Sequence, residues 1–547
     1  MPRPPASAAS RAASAARALQ RSVPAGARGC PWHGAGCAHA AAHSSAPLAP
    51  PPRESAFEMA SSAVRFGRGV TAEVGHDVAA TGARRVLVVS DARVAALRDG
   101  PLQRALASLS AHCRGARIEV FTDVECEPTD ASFARAVAAA QRAQPDAFVA
   151  VGGGSTIDTA KAMNLMVVHP DFSLLDFVNA PVGRGLPVPR ELRPLFALPT
   201  TAGTGSETTG VSIFDFQPSK AKTGIASRRL KPTLGLIDPD STLTMPRGVA
   251  VASGFDVLCH ALESYTVLPF AQREAPARPE LRPAYQGSVS APLSAPHGRA
   301  RARELAPFLP SLDLPQNPLS DVWSTHSLRL LAKYFVRSCT DREDREANEA
   351  MTLAATMAGV GFGNAGVHLA HGCSCESSAA TAPHHLQVLN SDPSLPSPAD
   401  AVSGLNTSAF RMEGYEADFV PHGVSVVLTA PAIFRATAAA CPERHAELAA
   451  ILRGENPKVV VALGAGGGAV VGGTSGAGEA LAEQLLRYMS ALDVPDGLGA
   501  LGFSAKDVPA LVTATLPQRR VLSLAPSEGD ASAAALADIF ERSMKIY

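Results

Sequence analysis

Between Arg84 and Met166 short β-branched runs alternate with helical stretches, and this alternation constrains the fold more than any other feature. Arg84-Arg85-Val86-Leu87-Val88-Val89-Ser90-Asp91 reads as a strand ending on an acid, and a helical pattern follows from Val94 to Leu109, interrupted near Gly100-Pro101. Ile118-Glu119-Val120-Phe121 is a second strand, Ala131 to Arg142 a helix, Ala147-Phe148-Val149-Ala150-Val151 a third strand, and Thr159 to Met166 the next helix. Strands joined through helices of this length pair in parallel, which predicts a Rossmann-like α/β domain. The third strand runs directly into Gly152-Gly153-Gly154-Ser155-Thr156-Ile157-Asp158. Glycines at a strand-to-helix turn let the backbone approach a ligand, and the helix start offers free N–H groups to a phosphate. The stretch is therefore a pyrophosphate cradle or a plain tight turn. Asp91 stands where such folds hold a ribose hydroxyl, and it is equally suited to cap the following helix.

Downstream, Phe196-Ala197-Leu198-Pro199-Thr200-Thr201-Ala202-Gly203-Thr204-Gly205-Ser206-Glu207 reads as a loop dense in hydroxyls, suited to a cofactor's phosphates and ribose or simply to water. Lys222, on a strand-like stretch, can reach a ribose or phosphate or stand as a surface charge. Gly235-Leu236-Ile237-Asp238-Pro239 closes the α/β half. After Pro246 the pattern turns helical, over Val249 to Tyr265, Val322 to Val336, Asp344 to Ala358 and Val424 to Ala440, and predicts an all-α second domain. Asp256 and His260 are four apart in the first of these helices and share one face, either as two ligands for a metal ion or as an ordinary polar pair.

The chain has 547 residues and a net charge of −1, which argues against a nucleic-acid binder held by phosphate contacts. No run of about 18 or more apolar residues is present, so no membrane span is expected. The 9 cysteines form no Cys-x-x-Cys repeat and read as reduced thiols. Residues 1–53 hold no Asp or Glu but several arginines among Ala and Ser, the composition of a mitochondrial transit peptide or of a tail without an address. Cys30, His33, Cys37 and His39 within it resemble a metal cluster only by residue type. The expected organisation is a leader over 1–53, a Rossmann-like α/β domain over 54–246, dinucleotide-binding if the glycine turn is a cradle, and a helical domain over 247–547, metal-binding if Asp256 and His260 are ligands.

Three stretches in order, Gly152-Gly153-Gly154-Ser155 with Asp158 and Lys161, Pro199-Thr200-Thr201-Ala202-Gly203-Thr204-Gly205-Ser206-Glu207, and Gly254-Phe255-Asp256-Val257-Leu258-Cys259-His260-Ala261-Leu262-Glu263, resemble the iron-containing alcohol dehydrogenase family. The likeness spans most of residues 57–547. It implies the two-domain plan also used by dehydroquinate synthases, and two further histidine ligands, matched by His371 in His371-Gly372 and His422 in Pro421-His422-Gly423. With Asp256 and His260 these make an O/N donor set suited to Fe(II) or Zn(II). The resemblance further implies NAD held by Asp91, Gly153, Gly154, Ser155, Asp158, Thr200, Thr201, Thr204 and Lys222. Within the family, Phe57-Glu58-Met59-Ala60, Arg282-Pro283-Ala284-Tyr285-Gln286-Gly287 and Ser543-Met544-Lys545-Ile546-Tyr547 resemble a mitochondrial branch that passes hydride from a hydroxy acid to an oxo acid. That branch implies 4-hydroxybutyrate as donor, 2-oxoglutarate as acceptor and a cofactor retained through turnover. An alcohol dehydrogenase that releases NAD and a non-catalytic variant are the alternatives, and a homo-oligomer is left open.

Three stretches depart from the family: insertions near 288–316 and 373–401, and a third near 454–477. The third contains Lys458 to Ala469, which imitates a second dinucleotide motif but is flanked by helices and reads as a Gly-rich loop. His384 and His385 lie in the second insertion and match nothing in the family. His368 suits packing or support of a ligand.

Overall fold

The computed structural model describes residues 53–547 apart from 220, 277–280, 284, 286–315, 375–419, 456–473 and 527–530. Residues 1–52 of the expected leader with their Cys/His group, His384 and His385, and Lys458 to Ala469 lie outside the described residues.

The first half is built on a parallel sheet. Its strands are β1 (Ala63–Phe66), β2 (Arg85–Ser90), β3 (Arg117–Phe121), β4 (Ala147–Gly152), β5 (Leu195–Pro199) and, further on, β8 (Leu234–Ile237). Between the last two lies a hairpin, β6 (Val211–Phe216) with β7 (Ala221–Ala226), paired antiparallel. The sheet order is β1-β8-β5-β4-β2-β3, and every neighbouring pair is parallel. The crossover helices are α1 (Val74–Ala80), α2 (Ala92–Ala96), α3 (Pro101–His112), α4 (Asp130–Ala143), α5 (Gly154–Val168) and the short α6 (Leu174–Phe177).

Alternation along β2 sorts the core into two layers. Val86 and Val88 pack with Val78, Leu102 and Leu109 on one face, while Leu87 and Val89 pack with Ala136, Ala140, Ile157 and Met163 on the other. A strand covered on both faces needs apolar residues at every position, which is why β4 is buried throughout. The same reasoning corrects one expectation: Phe196 to Pro199 form the buried central strand β5, and the loop begins only at Thr200. The helical pattern after β2 is interrupted where expected, Gly100 standing just before α3 and Pro101 at its first turn. Helix α5 begins at Gly154, five residues before the predicted start, because the glycine turn itself supplies the first helical turn.

The second half is helical. Its elements are α7 (Arg247–Thr266), α8 (Pro318–Thr340), α9 (Arg345–Ala365), α10 (Leu369–Ser374), α11 (His422–Thr437), α12 (Pro442–Leu452), α13 (Thr474–Ala491), α14 (Val508–Thr515), α15 (Arg519–Leu522) and α16 (Ala533–Arg542). Helix α7 is the axis, touched by α8, α9 and α11 and buried along almost its whole length. Cys373 and Ser374 belong to the buried helix α10, and α13 begins at Thr474, so the described ordered elements reach into two of the expected insertions. By length and composition His422–Ala440 could cross a membrane, with mean hydropathy 1.4. In the fold 78% of that window is inside the protein, as expected of a central core helix.

Candidate active site

Strand order reverses between β4 and β2: from β2 the chain proceeds outward to β3, and from β4 it proceeds the other way to β5 and β8. Ligands of open α/β sheets bind at the carboxyl ends of the strands flanking such a point. Asp91 follows β2, Gly153, Gly154 and Ser155 follow β4, and Thr200, Thr201 and Thr204 follow β5. The structure thus brings seven of the nine residues predicted for the cofactor to one edge.

Their contacts differ in kind. The Asp91 side chain caps α2, accepting from the N–H groups of Arg93 and Val94, while its other oxygen accepts from the Thr156 hydroxyl at 3.4 Å. A Cβ on Gly154 would lie 2.5 Å from Thr204 Cγ2, so the hydroxyl loop can lie against the start of α5 only over a glycine. Asp158 faces away from solvent into a buried network. One oxygen meets Ser206 Oγ and Lys161 Nζ, the latter at 3.2 Å, and the other accepts from the Ile213 N–H at 2.9 Å. It braces the loop from behind. Lys222 is buried, not on the surface, and pairs with Glu127 and, at 3.2 Å, Asp215. Glu127 itself donates its backbone N–H to Ser155 Oγ at 3.3 Å, which ties this pair to the cofactor edge.

The same hydroxyl loop joins the two halves. A Cβ on Gly203 would lie 2.9 Å from Ser253 Cβ, and Ser253 precedes Asp256 by about one helical turn. On α7 the face at 256, 260 and 263 is i, i+4, i+7, so Asp256, His260 and Glu263 form one stripe. Helix α11 meets it closely: a Cβ on Gly423 would lie 1.9 Å from the Ala252 carbonyl oxygen, and the missing side chain lets His422 reach Asp256.

Around Asp256 Oδ1 stand His371 Nε2 at 3.4 Å, His260 Nδ1 at 3.6 Å and His422 Nε2 at 3.8 Å. One ligand atom from each of Asp256, His371 and His422 lies within 4.8 Å of the others, a group that could hold a metal ion. His260 stands beside that trio rather than within it. Its ring stacks between Phe362, 3.9 Å away at 6°, and His371, 4.4 Å away at 21°. Asp256 Oδ1, His260 Nδ1, His371 Nε2 and His422 Nδ1 are buried and make no hydrogen bond to any described residue. Buried polar atoms without partners are costly unless something else satisfies them, and a carboxylate oxygen with imidazole nitrogens is a donor set for a divalent transition metal. The residues fit the ion.

Burial by itself would raise the Asp256 carboxyl, but the imidazoles of His260, His371 and His422 outweigh it and hold the group well below the usual range. Burial pushes His260 down to about 3, leaving a neutral ring with a free lone pair. Burial also lowers His422. Three side chains of the site are almost sealed, whereas His422 keeps 25% of its side chain exposed and marks the open flank.

Sequence reasoning missed the roles of Glu263, Glu127 and Phe362. Glu263 Oε1 accepts from the N–H groups of His368, Ala370 and His371, and Oε2 pairs with His371 Nδ1. Its i+7 spacing from Asp256 was a readable signal; Glu127 and Phe362 carry none, since only the fold brings them near. His368 is fully buried, with Nε2 2.9 Å from the Thr266 hydroxyl.

Two family models match the chain. "Iron-containing alcohol dehydrogenase" matches residues 61–239, and "Fe-containing alcohol dehydrogenase family, C-terminal" matches 312–387. A Xenopus laevis protein named hydroxyacid-oxoacid transhydrogenase, mitochondrial, is 44% identical over 513 residues, covering 93% of this chain and 95% of its own length. The chain belongs to the iron-containing alcohol dehydrogenase family. The Homo sapiens protein of the same name is 45% identical over 90% of each chain, and a Dictyostelium discoideum protein named as a probable member of that kind is 41% identical. Among solved structures, 1,3-propanediol oxidoreductase superposes with a TM-score of 0.64 at 23% identity, covering 89% of this chain and all of that one. Sulfoacetaldehyde reductase from Bifidobacterium kashiwanohense, in complex with NAD+, superposes at 0.61 with 20% identity. The family's two-domain fold is therefore this chain's fold.

Proposed function

We propose that the chain is a mitochondrial hydroxyacid-oxoacid transhydrogenase that uses a divalent metal, Fe(II) or Zn(II), and a retained NAD. The observation that carries this reading is the cluster of Asp256, His371 and His422, whose ligand atoms lie within 4.8 Å of one another, with Asp256 Oδ1 and His371 Nε2 making no hydrogen bond to any described residue. Relatives at 41–46% identity with the transhydrogenase name support the choice of reaction. We assign residues 54–246 to cofactor binding, 247–547 to the metal and substrate, and 1–53 to a cleaved mitochondrial leader.

Asp256, His260, His371 and His422 would hold the ion. When bound, it supplies Lewis acidity that lowers the pKa of a substrate hydroxyl. Gly153, Gly154 and Ser155 cradle the pyrophosphate at the start of α5, Thr200, Thr201 and Thr204 hold phosphate and ribose by neutral hydrogen bonds, and Asp91 and Asp158 fix the two loops. Lys222 presents its ammonium group between Glu127 and Asp215 for a ribose or phosphate oxygen. The sealed walls at Asp256, His260 and His371 exclude water, and substrate enters beside His422.

The chemistry is two opposite half-reactions at one position. Overall, 4-hydroxybutyrate loses a hydride and its hydroxyl proton, leaving succinic semialdehyde, and 2-oxoglutarate gains a hydride and a proton, leaving 2-hydroxyglutarate; bound NAD would carry the hydride between them and be unchanged overall. The test is turnover of the purified protein with both acids and no added NAD, following the two products. They are expected in equal amounts. Oxidation of 4-hydroxybutyrate only with stoichiometric free NAD would replace this reading with an alcohol dehydrogenase that releases its cofactor.

A further inference from the structure

The chain from Gly366 to His368 turns out of α9 and restarts as α10, Gly366 adopting a positive φ of 95°. Backbone N–H groups at such a restart have no carbonyl one turn behind them and need acceptors from elsewhere. Glu263, across on α7, provides them: one oxygen accepts from His368 at 3.0 Å, Ala370 at 2.8 Å and His371 at 3.4 Å. Its other oxygen faces His371 Nδ1. Glu263 and His368 are completely buried and His371 is only 7% exposed in its side chain, so water does not compete for these bonds.

We infer that Glu263 is a positioning residue for the metal centre, fixing His371 with its proton on Nδ1 and its Nε2 lone pair toward Asp256. This inference rests on the metal-site reading above. The geometry leaves the ring little choice. A carboxylate can only accept, so Nδ1 must donate to it, and Nε2 is then the nitrogen left for the ion, 3.4 Å from Asp256 Oδ1 and without a hydrogen bond to any described residue. One carboxylate thus sets both the position of α10 and the tautomer of the ligand it bears. Because α7 also supplies Asp256 and His260, ligands from two separate stretches of sequence are registered against a single helix. The anchor lies on the α7 side of His371, opposite in sequence to residues 375–419.

The full-length chain, freed of metal, is titrated with Co(II), following heat and the visible absorption bands. Wild type binds tightly with the spectrum of a low-symmetry site. Glu263→Gln, which keeps size and one acceptor oxygen but loses the charge, is expected to bind about 10-fold more weakly, and Glu263→Ala about 100-fold, both with shifted bands. Wild-type affinity and spectrum in both variants would overturn the inference while leaving the metal site intact. No Co(II) binding by wild type would overturn the metal reading and this inference with it. A measurement on wild type alone guards against a misfolded variant: with zinc bound and histidine labelled with nitrogen-15, the His371 ring is expected to carry its proton on Nδ1. A proton on Nε2 would overturn the assignment.

Discussion

At the scale of single residues, neighbours on one helix separate into chemical and packing roles. Asp256 and His260 face the donor cluster, whereas Cys259 between them is fully buried, with a thiol pushed well above its ordinary value first by burial and then by Glu263 and Asp256. His260→Ala is expected to abolish transhydrogenation and bound metal, and Cys259→Ala to keep both at a stability loss of about 1 kcal/mol. Metal content and product formation on the two variants measure this; equal losses would contradict the roles. Glu207 gives a pH prediction. Burial raises its carboxyl above the ordinary 4.5, against the opposing help of its own N–H, the Thr356 hydroxyl and Lys161. A carboxyl raised in the folded state holds its proton more tightly there, so its contribution to stability is present at low pH and fades as pH rises through the folded value. Glu207→Gln keeps an oxygen for the Thr356 hydroxyl and removes the titration. The variant's stability relative to wild type should grow as pH rises from about 4.5, as read by urea unfolding across pH.

At the scale of elements, close helix approach is what assembles the centre. Gly423→Ala puts a methyl group against the Ala252 carbonyl, backbone on both sides, so α11 must move and take His422 with it. Overpacking of this kind costs about 1–3 kcal/mol, and calorimetry should show the loss together with weakened metal binding. Gly154→Ala is the complementary case. Its methyl group would meet Thr204 at the cofactor edge, so dinucleotide affinity should fall while metal content holds. Measuring both ligands on both variants separates the two sites, and a Gly154→Ala protein that loses metal would refute their independence. Both glycines stand out in the sequence, Gly154 in a stretch readable as a phosphate cradle or a tight turn and Gly423 in a His-Gly pattern. What they approach does not, because Ala252 and Thr204 lie far from their partners along the chain.

At the scale of the whole molecule, the metal would clamp α7, α10 and α11, which are separated by long stretches of chain. A ligand that binds only the folded state stabilises it by mass action, by about 2.7 kcal/mol at a hundred times its dissociation constant. Stripping the protein with a chelator should therefore lower its melting temperature, and adding Fe(II) or Zn(II) back should restore it; an unchanged transition would argue that these ligands share no ion. The sequence by itself determined the alternation of strands and helices from Arg84 to Met166 and with it the parallel sheet, because periodicity and turn chemistry are local properties, while His371 and His422 of the donor set came from the family resemblance. It even placed Glu263 on the stripe of Asp256, one spacing further along. Only the tertiary structure decided that Phe196 to Pro199 form a central strand, that Lys222 is buried between Glu127 and Asp215, and that Glu263 holds His371. Each of these depends on which distant segment closes over the residue, and burial and pairing across such distances leave no periodic mark in the chain.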